Sequence, residues 1–123
     1  MEKYKVSEAE LEVMKILWEE NPLTSKEIIQ RLHHMDWSDN TIKTFLNRLL
    51  NKGSIKNKAE GRTYLYSPTI SYDKYLSKEN KNFLNVIYNG ATNLLISKFI
   101  EEEELSNEDI KELQDMLENK RRE

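Results

Sequence analysis

The sequence predicts a mainly α chain with one small β-hairpin, ordered as three helices, the hairpin and three further helices. Three observations carry this reading. Ile42, Phe45, Leu46, Leu49 and Leu50 recur at i, i+3, i+4, i+7 and i+8, the apolar stripe of an amphipathic helix. After it come a glycine and two short alternating segments, Ser54–Ala59 and Thr63–Ser67, around Glu60-Gly61, the pattern of two strands and a turn. A helix-start signature recurs four times: an N-cap hydroxyl, an apolar residue before it and another four positions on. The four are Val6-Ser7…Leu11, Leu23-Thr24…Ile28, Trp37-Ser38…Ile42 and Leu105-Ser106…Ile110. These are hydrophobic staples, and Ser7/Glu10 and Thr24/Glu27 add capping boxes, with Asp109 as a shorter version for Ser106.

The elements follow in order. A first helix is expected over Glu8–Glu20, burying Leu11, Met14, Leu17 and Trp18, and broken by Asn21-Pro22. A second runs over Ser25–His33 with Ile28, Ile29 and Leu32 inward. A third runs over Asp39–Lys52 and stops at Gly53, a residue able to take the left-handed conformation that ends helices. Three helices and a hairpin in this order predict a winged helix-turn-helix over residues 1–72. Beyond it, Tyr72, Tyr75, Leu76, Phe83 and Ile87 mark a fourth helix. Ala91, Leu94, Leu95 and Phe99 mark a fifth after Asn89-Gly90, and Ile110, Leu113, Met116 and Leu117 a sixth. Glu101–Glu104 reads as a solvated turn. These last three short helices, over residues 73–123, cannot bury much surface alone. Their stripes are expected to meet a second copy of the chain, through Phe83, Ile87, Leu94, Leu95, Phe99, Ile110, Leu113 and Leu117.

Charge separates the two parts. Residues 1–72 hold 11 Lys/Arg against 10 Asp/Glu, net +1, and residues 73–123 hold 8 against 12, net −4. Within the first part, Thr41–Ser67 carries Lys43, Arg48, Lys52, Lys56, Lys58 and Arg62 against the single acid Glu60, a local +5 in a chain of net −3. At about 100° per residue, the third helix turns Asn40, Thr44, Asn47 and Asn51 away from its apolar stripe, flanked by Lys43 and Arg48. Amides, hydroxyls and cations without an acid are the side chains that read base edges and phosphates in a major groove. A Lys-rich hairpin alone is an ordinary protected edge. Beside such a helix face it reads as a wing, with Arg62 at the tip.

Other chemistries are poorly served. The chain has no cysteine, so disulfides and thiolate metal sites are excluded. His33 and His34 are adjacent and point apart, unlike the i, i+4 pair of a helical metal site. No acid pair, Ser/His/Asp set or glycine-rich phosphate loop supports catalysis, and no cofactor is expected. No apolar run approaches the ~20 residues of a membrane span, and Met1–Glu10 lacks an apolar leader, so a cytoplasmic protein is expected.

The residues also resemble a known family, the penicillinase and methicillin-resistance repressors grouped as BlaI/MecI/CopY. The resemblance rests on Ser7-Glu8-Ala9-Glu10-Leu11-Glu12-Val13-Met14 with Leu17-Trp18, Trp37-Ser38, Thr41-Ile42-Lys43-Thr44, Leu46 with Arg48-Leu49, Lys52-Gly53, Gly61-Arg62, and Tyr66 with Pro68. In the tail it rests on Asn82-Phe83, Tyr88-Asn89-Gly90, and Leu105-Ser106 with Glu108-Asp109-Ile110 and Glu112-Leu113. It implies a homodimeric repressor whose third helix enters the major groove of an inverted-repeat DNA operator. Thr41, Lys43 and Thr44 would lie nearest the bases, and Lys52, Lys58 and Arg62 would meet phosphates. Asp39-Asn40 departs from the Pro-Lys common in that branch. The copper-sensing branch uses Cys-x-Cys pairs, which this chain lacks. The other family mechanism is proteolytic induction by a membrane-bound β-lactam sensor with a zinc-protease domain. The bond matching the family's cut is Lys98–Phe99, with Lys where that branch has Asn. The rival readings are a winged-helix adaptor for protein contacts and a repressor released by a directly bound small molecule.

Overall fold

The computed structural model describes residues 5–123; Met1–Tyr4, part of the stretch read above as lacking a leader, lies outside them. The order is α1 (Glu8–Glu19), β1 (Leu23–Thr24), α2 (Ser25–Arg31), α3 (Asp39–Lys52), β2 (Ile55–Glu60), β3 (Thr63–Pro68), α4 (Tyr72–Tyr88), α5 (Thr92–Glu102) and α6 (Asn107–Arg121). This is the expected mainly α fold with a hairpin, and no described helix is long and apolar enough to cross a membrane.

The predicted caps form. Ser7 Oγ accepts from the Glu10 amide while Glu10 Oε1 accepts from the Ser7 amide, and Thr24/Glu27 and Ser106/Asp109 repeat the box. Ser38 caps α3 through the Thr41 amide, and Gly53 closes it at φ 80°. Val13, Met14 and Leu17 of α1, Leu23 of β1, Ile28 and Leu32 from α2 and its cap, and Ile42, Phe45, Leu46 and Leu49 of α3 form one core. Ile55, Ile70 and Tyr75 complete it.

Several expectations need correction. Helix α2 ends at Arg31 rather than His33, because the Leu32 amide turns back to Ile29. The chain also builds a third strand the alternation did not reveal. β1 has only two residues, pairing Leu23 with Tyr66 and Thr24 with Leu65, so the sheet order is β1-β3-β2. The hairpin turn is Gly61-Arg62, one place later than expected, since Glu60 still pairs with Thr63. Gly61 has φ 62°, which a side chain would strain. Trp37 packs edge-on against Phe45, with ring centroids 5.0 Å apart, rather than only stapling Ile42. Trp18 is half-buried, not core, with Tyr72 and Tyr75 at 5.0 and 5.1 Å. Glu101 and Glu102 belong to α5, so only Glu103 and Glu104 remain in the turn.

Contacts divide the chain into two units, one ending at Lys78 and one running from Glu79 to Glu123. The first therefore extends past residue 72, because Tyr75 in the opening turns of α4 is buried in its core. In the second unit, no residue of α5 or α6 is buried. Its apolar side chains instead line two open clefts. One, of about 620 Å³, lies between α4 and α5, with Phe83, Leu95 and Phe99 on its walls. The other, of about 400 Å³, lies between α5 and α6, bounded by Phe99, Leu113 and Leu117. Leu94 lines neither. It stands five positions, or about 140°, from Phe99, so the two, both expected at the dimer surface, do not share one stripe of α5.

Candidate nucleic-acid interface

Helix α3 buries its apolar stripe and leaves Asn40, Lys43, Thr44, Asn47, Arg48 and Asn51 exposed, with Thr41 half-buried. The helix is held from its start. Ser38 Oγ accepts from the Thr41 amide at 3.1 Å and lies 2.9 Å from Thr41 Oγ1. Thr44 Oγ1 donates to the Asn40 carbonyl at 3.0 Å. The two threonines expected nearest the bases thus have their hydroxyls engaged within the helix and its cap.

The wing is the β2–β3 hairpin. Lys56, Lys58 and Glu60 alternate on one face of β2, and Arg62 stands exposed at the turn. Among the described residues, Lys43, Arg48, Lys56, Lys58 and Arg62 enter no ion pair, while most other pairs lie along single helices. None of the five is held in an ion pair, which leaves each able to meet a phosphate.

Lys52 is placed differently. Its Nζ bonds Glu10 Oε1, a carboxylate 2% exposed that also holds the Ser7 amide. Burial works against charge on Glu10, but the hydrogen bond and charge of Lys52 and the Ser7 amide outweigh it and hold its carboxyl below the ordinary value. Glu27 is also lowered, by its bonds to the Thr24 amide and hydroxyl.

Sequence reading passed over part of this surface. A cleft of about 430 Å³ between α2 and α3 joins Ser25, Lys26 and Gln30 to Asp39 and Lys43. Lys26 and Gln30 are i, i+4 on α2, a spacing that marks one helix face. Asp39 also shows that the region beside Lys43 is not wholly free of acid. His33 and His34 stand with rings 6.1 Å apart and edge-on, and no cluster of three metal-ligating side chains occurs among the described residues.

Comparison with known proteins places this geometry. The family model described as Penicillinase repressor matches residues 6–119. The penicillinase repressor of Bacillus licheniformis is 40% identical over 114 residues, 92% of this chain and 89% of that protein. The methicillin resistance regulatory protein MecI of Staphylococcus aureus is 36% identical over 118 residues, 95% and 96% of the two chains. Both names are those of regulators, not of enzymes. The solution structure of the DNA-binding domain of the repressor BlaI superposes with a TM-score of 0.54 at 40% identity, covering 58% of this chain and 89% of that one. The Bacillus licheniformis BlaI monomeric form in complex with the blaP half-operator gives 0.51 at the same identity, covering 58% and 88%. The chain belongs to the penicillinase repressor family.

Proposed function

We propose that the chain is a homodimeric repressor that reads an inverted-repeat operator with α3 and grips phosphates with its wing. The observation that carries this reading is the set of five cations on α3 and the hairpin that enter no ion pair among the described residues. Asn40, Thr41, Lys43, Thr44 and Asn47 are the groove residues of the proposal. Arg48, Lys58 and Arg62 are its phosphate contacts. The relative's complex with a half-operator supports the assignment, since that DNA-bound chain superposes on 58% of this one at 40% identity. In a gel-shift titration over several salt concentrations, Lys58→Ala and Arg62→Ala should each flatten the salt slope by about one unit. An unchanged slope in both would remove the wing from the interface.

Dimerisation through residues 73–123 is the second part of the proposal. Phe83, Ile87, Leu94, Phe99, Ile110, Leu113 and Leu117 are exposed in the single chain, and Leu95 is half-buried. Apolar surface of this extent calls for a partner, and a second copy supplies it symmetrically. Phe99→Asp and Leu117→Asp should yield monomers by sedimentation.

Relief by proteolysis at Lys98–Phe99, through a membrane-bound sensor metalloprotease, is the third part. The bond lies inside α5, where Lys98 pairs with Glu102 at 3.3 Å. A protease takes an extended chain, so cutting there requires local unfolding or access to the transient monomer, in which α5 has no buried residue. The product would lose α6 and with it part of the dimer surface. Mass spectrometry of the protein from β-lactam-treated cells should show the cut; an intact chain during full derepression would rule it out.

A further inference from the structure

The structure assigns Glu10 a positioning role in DNA recognition, a role that rests on the reading of α3 and the wing proposed above. Glu10 and Ser54 are the buried polar residues of the described chain. Glu10 stands in the first turn of α1 and is 2% exposed. Its Oε1 gathers two donors, the Ser7 amide at 2.9 Å and the Nζ of Lys52, from a residue 42 positions away.

Lys52 is the last residue of α3, and the chain beyond it is fastened in turn. The Ser54 amide donates to the Leu49 carbonyl at 2.9 Å, Thr69 Oγ1 donates to the Gly53 carbonyl at 2.6 Å, and the Thr69 amide donates to the Ser54 carbonyl at 3.0 Å. β2 begins at Ile55. The end of the recognition helix and the root of the wing therefore form one braced corner, and Glu10 is its anchor on α1.

An apolar stripe tolerates small sliding and rotation of a helix. A buried carboxylate does not, because it is satisfied only when one ammonium arrives in one place. Glu10 thereby sets where α3 lies along its axis, and so where its groove residues meet the bases. Lys52, expected among the phosphate contacts, serves the fold of the interface instead.

The two roles separate by experiment. The probe is a duplex selected from a random-sequence pool by the full-length wild-type protein, beside a scrambled duplex of the same length. Glu10→Gln, Lys52→Met and the double variant are titrated on both at several salt concentrations, with folding checked by circular dichroism at the assay temperature. Misalignment of one base contact should cost each single variant at least about fivefold on the selected duplex. The scrambled duplex, held by phosphates alone, should lose under about twofold, and the salt slope should stay as in wild type. The double variant should be no weaker than the worse single one. A proportional loss on both duplexes, or a salt slope lower by about one unit for Lys52→Met with Glu10→Gln unaffected, would overturn the positioning role. Should Glu10→Gln fail to fold, Lys52→Met carries the same comparison, since its side chain is 34% exposed and removing its charge leaves the core filled. Failure of the wild-type protein to select any sequence would instead overturn the DNA reading beneath it.

Discussion

The indole Nε1 of Trp18 donates to the carbonyl of Ile70 at 2.9 Å, a bond between residues 52 positions apart. It ties the last turn of α1 to the segment entering α4, and the same ring packs against Tyr72 and Tyr75. Trp18→Phe keeps most of the ring contact but leaves the carbonyl without its donor. A loss of about 1–2 kcal/mol is expected, read as a lower urea midpoint with an unchanged m-value.

Lys43 and Thr44 should respond differently although they are neighbours. Lys43 is exposed and unpaired, so Lys43→Ala should cost about 1–3 kcal/mol at the operator and blur base preference. The Thr44 hydroxyl is already given to the Asn40 carbonyl, and valine keeps the side chain's shape without that hydroxyl. Thr44→Val should therefore bind within about threefold of wild type, a change below about 1 kcal/mol. Equal, large losses in a gel-shift series would show that the Thr44 hydroxyl leaves the helix to reach a base.

Acid should expose the worth of Glu10. Its carboxyl sits below its ordinary value of 4.5, so its contribution is present above that pH and is lost as pH falls through the lower, folded value. Glu10→Gln, which does not titrate, should cost about 1.5–3 kcal/mol at neutral pH. The gap between variant and wild type should narrow below about pH 4.5, in urea midpoints measured from pH 7 to 3. A gap independent of pH would mean that the charge of Glu10 contributes nothing.

Truncation should reveal where the first unit ends. A fragment stopping at residue 78 keeps Tyr75, which is 8% exposed. It should fold, sediment as a monomer and bind the operator about 10²–10⁴ weaker than the full chain, because the tethered second half-site reader is gone. A fragment stopping at residue 72 loses the Tyr75 ring from the core and should be less stable by roughly 3 kcal/mol in thermal or urea unfolding. Equal stability of the two would return the boundary to residue 72.

What the sequence determined by itself is whatever closes within a few residues. Ser7 with Glu10, Thr24 with Glu27, Ser38 with Thr41 and Ser106 with Asp109 satisfy helix ends locally, and Gly53 ends α3 through its own φ. The stripe of α3 and the cations of the wing were legible for the same reason, since period and spacing sort side chains onto faces before any tertiary contact exists. Tertiary structure decided what depends on a partner far along the chain. β1 is too short to show a period and exists because β3 offers Tyr66 and Leu65 across from it. Trp18 became a hydrogen-bonded brace only where Ile70 came within reach. Lys52 looked like one more cation in a basic stretch. The fold brought it a buried carboxylate from α1, and in a poorly solvated site that single pairing outweighs any preference its neighbours in sequence express.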